Sequence, residues 1–263
     1  FPSVGERLVQ EYRAAPVKHA DETGWRTDGQ NGYVWLFATP QLSIFRFRKT
    51  RAATVPQEIF GPTRVPGVLV VDRYAAYNRL RCAIQYCYAH LLREVKDLAQ
   101  EFPQSAEVQA FSQALAPLLR EAMGLRSTTL SRDAFRRHAQ RVARRIRQVI
   151  RHPAQHPGVQ HIQDIFRVHA RRMYHWATDR QIPAENNLAE RDLRPSVIAR
   201  KVSFGSQSDA GARTREILMT VLCTVRKRYP RDATERFRHA LDTLTLHPTR
   251  DLHRILFHDR APP

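Results

Sequence analysis

The chain has 263 residues, of which 42% are hydrophobic and 26% are charged, a composition typical of a soluble globular protein with one large domain or two small ones. It contains no apolar run of about 18 residues and no charged segment leading into an apolar stretch, so we expect neither a membrane span nor secretion. The net charge is +18, from 43 Lys and Arg against 25 Asp and Glu, and this favours a polyanionic partner such as nucleic acid over an ordinary solvated surface.

Three apolar segments near the start of the chain predict strands. They read VKHADETGWRTDG (17–29), GYVWLFATP (32–40) and LSIFRFRKTR (42–51), and the third alternates apolar and polar residues. Turn signals separate them at 27–29 and 39–40. The pattern predicts an antiparallel meander of three strands.

The next segments alternate between helix and strand signals. Residues 54–60 predict a short helix, and VLVVD (68–72) is a continuous apolar run of the kind found in a strand buried on both faces. A further strand is predicted over 82–88 and a helix over 89–100.

The composition changes after residue 100. Residues 101–180 are rich in arginine, carry apolar residues at helical spacing and show no strand-like run, which predicts an all-α insertion. We therefore divide the chain into the first part of a core (1–100), the insertion (101–180), the completion of the core (181–230) and a tail (231–263). The element order is that of an α/β fold with a ribonuclease-H-like core.

Three carboxylates lie at positions where a core of this kind could use them to bind a metal ion. Asp21 lies in the first predicted strand, and Asp72 ends the buried strand, where it needs a metal, a cation or hydrogen-bond donors unless it caps the helix that follows. Glu190 lies on a predicted helix that starts at Asn186 or Asn187. Carboxylates that converge at a sheet edge would bind Mg²⁺ or Mn²⁺.

Simple ion pairing would explain the same residues. Glu190 could pair with Arg194 four residues later on the helix, and either Asp21 or Glu22 could pair with Arg26. Spacing alone leaves these alternatives open.

Cys87 and His90 have the spacing of half a zinc site, and Cys82 lies five residues upstream. Zinc normally takes four ligands, and no second pair follows at a standard spacing. A structural role for Cys87 and His90 is therefore favoured over zinc binding. The low count of three cysteines is typical of a reducing cytoplasm.

Four basic residues follow Glu190, namely Arg191, Arg194, Arg200 and Lys201. They are candidates for contacts with DNA phosphates, although a solvated helix face would have the same composition. Pro195 is expected to end or kink the helix.

Several ordered segments resemble the insertion sequence 66 family of bacterial transposases, which are of the DDE type. These segments are HADETGWR (19–26), VVDRYAAY (70–77), CYAHLLRE (87–94), NNLAERDLRPSVIARKVSFGSQSDAGA (186–212) and LHPTRDLHRILF (246–257).

The resemblance implies a specific activity. Asp21, Asp72 and Glu190 would be the DDE triad, and with Mg²⁺ or Mn²⁺ they would cut DNA at the element ends and join it to target DNA. The implied partners are DNA, further copies of the chain bound to DNA and other proteins of the element, in the cytoplasm of a bacterium close to its nucleoid.

Full-length members of the family carry N-terminal DNA-binding and zinc-binding regions, and no such region precedes Phe1. We therefore expect an N-terminally truncated transposase. The alternative function is a truncated, catalytically silent remnant that only binds DNA.

Overall fold

The computed structural model describes residues 2–258, with side chains from residue 4 onward. The described residues form two compact units. Unit 1 comprises 2–67, 75–81 and 187–258, and unit 2 comprises 68–74 and 82–186.

The meander predicted at the start of the chain belongs to unit 1. It consists of β1 (Val17–Thr27), β2 (Gln30–Thr39) and β3 (Leu42–Arg48), which pair antiparallel in sequence order. The β1–β2 turn is made by Asp28 and Gly29, whose φ angles are +52° and +70°. Two consecutive residues with positive φ are what a two-residue hairpin turn of this twist requires, and Asp-Gly is a preferred pair for it.

Unit 2 contributes two short parallel strands, β4 (Val68–Val71) and β5 (Ala83–Tyr86). The strand order within the meander is β3-β2-β1, and β4 pairs with β5 within unit 2. An antiparallel meander followed along the chain by a parallel pair confirms the predicted α/β class with a ribonuclease-H-like core.

Ten helices accompany the strands in the described part of the chain, and the predicted short helix over 54–60 is confirmed. None of them is both long enough and apolar enough to cross a membrane. They are α1 (Pro2–Ala14), α2 (Thr54–Phe60), α3 (Tyr88–Glu101), α4 (Ala106–Gly124), α5 (Arg132–Arg151), α6 (Pro157–Val168), α7 (Asn187–Ser203), α8 (Asp209–Arg228), α9 (Ala233–Leu246) and α10 (Leu252–Phe257).

Unit 2 also contains α3 to α6, which pack against one another. The insertion contains α4, α5, α6 and three short 3₁₀ turns, and the residues described there include no strand. Its helices are held together by apolar side chains at helical spacing, such as Leu115, Leu119, Val142 and Ile146. The all-α character predicted for this block is confirmed.

The core of unit 1 lies between the meander and the two helices α7 and α8. Buried side chains of the strands, including Trp25, Leu36 and Phe45, pack against Ala189 and Leu193 of α7. Burial of such side chains is the main stabilising contribution in a domain of this size.

Helix α8 also supplies hydrogen-bond acceptors to the edge strand β3. The N–H groups of Ser43 and Phe45 donate to the hydroxyl oxygens of Thr224 (3.1 Å) and Thr220 (3.0 Å). The N–H group of Phe47 donates to the Glu216 carboxylate at 2.9 Å.

The spacing of these acceptors matches the spacing of the donors. Four residues along a helix advance by about 6 Å, and two residues along a strand by about 6.8 Å. Acceptors at 216, 220 and 224 can therefore serve every second N–H group of β3. A sheet edge with unpaired N–H groups invites pairing with other chains, and α8 closes this one.

We expect the change Thr220→Val to lower the free energy of unfolding by about 1–3 kcal/mol, because the buried N–H group of Phe45 loses its acceptor while the side-chain volume is kept. Thr214→Val on the exposed side of α8 is the matched control and should change stability by less than about 0.5 kcal/mol. Urea unfolding followed by circular dichroism measures both, and equal effects of the two changes would contradict the role given to Thr220.

Candidate active site

Glu190 lies in the first turn of α7, in unit 1. Its side chain is half-buried, and it makes no hydrogen bond or ion pair with any other residue from 2 to 258. The alternative in which Glu190 pairs with Arg194 is therefore not realised within the described chain. A half-buried carboxylate without a partner is unfavourable unless something else binds it.

Asp192, two residues further along α7, behaves in the opposite way. It accepts a hydrogen bond from the Ser43 hydroxyl at 2.9 Å and forms an ion pair with Lys227 of α8. Burial lowers the pKa of Lys227, and the neighbouring Asp192 carboxylate counteracts that shift. Asp192 therefore joins α7 to β3 and α8, which is a structural role.

Asp21 lies in β1, in the same unit as Glu190. One of its carboxylate oxygens accepts a hydrogen bond from the N–H group of Glu22 at 2.9 Å. Glu22 itself is buried and pairs with Arg51, whose Nε donates to it at 3.0 Å, so the predicted alternative of a Glu22–Arg26 pair is wrong. The Arg26 guanidinium instead donates to a carbonyl of the hairpin turn.

In unit 2, Asp72 follows β4 directly, as the sequence predicts. Its Oδ1 accepts a hydrogen bond from the N–H group of Tyr74 at 2.9 Å, so part of its role is to cap the turn after the strand. Val71 pairs in register with Tyr86, and the N–H group of Cys87 donates to the Val71 carbonyl at 2.8 Å. Asp72 and Cys87 are therefore the first residues beyond two paired strand ends.

Cys87 and His90 stand at the start of α3, with Cys87 buried. The Cys87 sulfur accepts a hydrogen bond from the backbone N–H group of Asn186 at 3.2 Å, which ties the segment before α7 to the end of β5. The Nδ1 atom of His90 is buried and has no hydrogen-bond partner among the described residues. The contact to Asn186 is a structural contribution of Cys87, and the structural role of His90 stays a prediction.

Three of the four predicted DNA-binding residues, Arg191, Arg194 and Lys201, are exposed and form no ion pair within the described chain. With about 100° of rotation per helical residue, Glu190, Arg194 and Lys201 lie on the same side of α7. The unpaired carboxylate and two unpaired cations therefore share one strip of the helix. Arg191 points to another side.

The fourth, Arg200, holds α7 to β1. Its guanidinium donates to the carbonyl of Gly24 at 2.5 Å. Just after the helix, the N–H group of Ser206 donates to the Arg26 carbonyl at 2.9 Å, and the Ser206 carbonyl accepts from Asp28 at 2.8 Å. The sequence pattern carries no signal for this attachment, because the groups of β1 and its turn that take part are backbone groups, which α7 meets only in the tertiary structure.

Pro195 does not end α7, which continues to Ser203. The proline ring removes one helical hydrogen bond, at a cost of about 3 kcal/mol in an isolated helix. Buried residues on both sides of it, Leu193 and Ser196, pack α7 into unit 1 and offset that cost. Of the two outcomes predicted at Pro195, an end of the helix or a kink, the end is therefore wrong.

Comparison with known proteins finds a family, a relative and a solved structure that resemble this chain. The family model described as "Transposase IS66 family" matches residues 2–214. An uncharacterized protein, y4qI of Sinorhizobium fredii, is 26% identical over 261 residues, with 84% of this chain and 46% of that protein covered. The chain thus spans about half the length of this relative.

Among solved structures, the catalytic core domain of HTLV-2 integrase, in complex with magnesium and in a trimeric form, matches with a TM-score of 0.21 and 10% identity. The match covers 45% of this chain and 90% of the integrase chain.

The two carboxylates of α7 should respond differently to neutralisation. Asp192→Asn should lower the free energy of unfolding by about 1–3 kcal/mol, because Lys227 would be left without its counter-ion. Glu190→Gln should change it by less than about 1 kcal/mol, since only an interaction with the start of the helix is lost. Urea unfolding at neutral pH compares them, and a larger loss for Glu190→Gln would show that Glu190 has a structural partner.

Proposed function

Because the chain belongs to the IS66 family of transposases, we propose that it is the catalytic region of a DDE transposase and that Asp21, Asp72 and Glu190 are its metal-binding triad. The observation that carries this proposal is the half-buried Glu190 carboxylate, which has no partner within the described chain although many arginines are present. A bound cation would supply the missing interaction.

The attachment of α7 to β1 supports a position of Glu190 near Asp21. Arg200 binds the carbonyl of Gly24, and the segment after α7 binds β1 further on, so helix and strand run in the same direction. Ten helical residues before Arg200 correspond to about 15 Å, which equals four to five strand residues before Gly24. Glu190 would then be level with Ala20 or its neighbours.

Chain connectivity supports a position of Glu190 near Asp72. Asn186 is bonded to Cys87, which lies beside Asp72 just beyond the paired ends of β4 and β5. Glu190 follows Asn186 by four residues, and one helical turn advances the chain by only about 6 Å.

Three carboxylates are the ligands that hard divalent cations prefer, and the triad therefore suits Mg²⁺ or Mn²⁺. When bound, such ions activate the attacking oxygen and stabilise the leaving oxygen of an in-line phosphoryl transfer. In this proposal, Arg194 and Lys201 hold the phosphates of the DNA beside the triad.

The proposed reaction has two steps. Water first attacks the phosphodiester at an element end and releases a 3′-hydroxyl, and that hydroxyl then attacks a phosphodiester of target DNA. Both steps require two DNA ends to be held together, which favours a dimer or a larger assembly on DNA. Other proteins of the element are further proposed partners.

The second candidate function is a catalytically silent DNA-binding remnant. The observation that favours it is the net charge of +18, which supports binding to a polyanion without requiring a metal site.

Cleavage of DNA separates the two. Incubated with Mg²⁺ and a supercoiled plasmid that carries the genomic DNA flanking the coding sequence, the 263-residue chain should nick the plasmid, and EDTA should stop the reaction. Asp21→Asn, Asp72→Asn and Glu190→Gln should each lower the nicking rate by at least about a hundredfold, because the metal site contributes several kcal/mol to the transition state.

Asp164→Asn and Glu235→Gln serve as matched controls, because both residues are acidic and lie on helices outside the proposed site. They should nick at the parental rate. Nicking by the three triad variants at that rate would contradict the assignment of the triad. Salt-dependent DNA binding without any nicking by the parent chain would instead support the remnant.

A further inference from the structure

Helix α5 of unit 2 carries the densest positive charge on any helix of the described chain. Its 20 residues include eight arginines and one carboxylate, Asp133. All eight arginines are exposed. They are Arg132, Arg136, Arg137, Arg141, Arg144, Arg145, Arg147 and Arg151.

Four of these arginines form a row along the side of α5 opposite its buried side. The buried side contains Phe135, Val142, Ile146 and other apolar residues. With about 100° of rotation per residue, the side chains at positions 137, 141, 144 and 151 fall within about 80° of one another on the far side. We call these four residues the arginine row, and the row is about 21 Å long at 1.5 Å per residue.

The arginine row has no acidic partner. Its four side chains form no ion pair and no hydrogen bond with residues 2–258. Two other arginines of α5 do have contacts, since Arg145 lies 3.7 Å from the Glu121 carboxylate and Arg147 lies over the Tyr174 ring at 4.1 Å. Glu121 also binds His138, so this nearby carboxylate is already shared.

The surrounding sequence does not balance this charge. Residues 102–186 contain fourteen arginines against six carboxylates. Like charges spaced four residues apart on a helix repel one another and destabilise it. An anionic ligand bound along the row would neutralise this charge.

We infer that the arginine row binds the phosphate backbone of duplex DNA. This inference rests on the proposed function and adds a DNA contact surface, within the helical insertion, to the basic residues of α7. A length of about 21 Å spans about six nucleotides of one strand at 3.4 Å each. Guanidinium groups bind phosphates in a bidentate manner, and such contacts are independent of base sequence.

Salt dependence measures the number of phosphate contacts. Each contact contributes about 0.9 to the slope of log K against log salt concentration. A variant with Arg137→Gln, Arg141→Gln, Arg144→Gln and Arg151→Gln should therefore lose about 3–4 from that slope, and its affinity near 0.1 M salt should fall by about three to four orders of magnitude. Fluorescence anisotropy with a labelled 30-base-pair duplex of arbitrary sequence gives both quantities.

A matched control removes the same charge from unit 1, through Arg64→Gln, Arg231→Gln, Arg238→Gln and Arg250→Gln. These four arginines are also exposed and form no ion pair within the described residues. The control should lose less than about 1 from the slope, because it removes net charge without removing contacts. An equal loss in both variants would overturn the inference.

Two further variants protect the test against misfolding. Glutamine has a helix propensity close to that of arginine, so α5 should form in the variant, and circular dichroism checks this. Lysine at the same four positions should keep most of the slope, because the charge remains. The single change Arg144→Gln should lower the slope by about 0.9, and no change in slope with either Arg144→Gln or the fourfold glutamine variant would overturn the inference.

Failure of this inference can be distinguished from failure of the proposed function. If the fourfold variant binds DNA as the parent does while the parent nicks plasmid, the arginine row is not the surface and the catalytic proposal stands. If the parent never nicks plasmid but the salt-dependence slope of the fourfold variant falls as expected, the arginine row is a DNA contact surface and the catalytic proposal fails. Binding of the parent to vesicles with anionic lipid, lost in the variant while DNA binding is kept, would make a membrane surface the ligand and overturn the inference.

Discussion

The hydrogen bonds from β3 to α8 are the constraint on which the organisation of unit 1 depends. An edge strand with free N–H groups would be open to pairing with other chains, and acceptors at every fourth residue of α8 occupy those groups. The same strand contacts α7 through Ser43 and Asp192. Because Lys227 of α8 also binds Asp192, the edge strand and both helices form one connected hydrogen-bonded arrangement.

Within that arrangement, chemically similar side chains have different surroundings. Glu190 and Asp192 are separated by about 200° around α7, which turns one toward β3 and leaves the other without a partner. The arginines show a similar contrast, since Arg200 fastens the helix to β1 and Arg194 stays unpaired. Residue type therefore does not distinguish a structural charge from a candidate functional one, and the partners do.

Much of the fold could be predicted from local sequence. Alternation and turn residues identified the meander and its Asp28–Gly29 hairpin, and helical spacing identified the insertion, because these signals arise from near neighbours in the chain. The positions of Asp72 after β4 and of Glu190 near the start of α7 could also be predicted, whereas their role as metal ligands stays a prediction. The partners could not be predicted, because Glu22 meets Arg51 and Asp192 meets Lys227 across distances that only the tertiary structure closes. The packing of Leu193 and Ser196 into unit 1 also forms only in the tertiary structure, and it lets α7 continue past Pro195.

The hydrogen bonds from α7 to β1 are concentrated at one end of the helix. Arg200 and the segment just beyond the helix supply them, whereas Glu190 lies about 15 Å away along the axis. The end of the helix that carries Glu190 is held by the packing of Ala189 and Leu193 and by the contacts of Asp192 to β3 and α8. A tilt of about 10° around the Arg200 end would move the Glu190 carboxylate by about 2.6 Å for that length of helix. Packing at the first turn of α7 therefore sets how precisely this carboxylate is positioned.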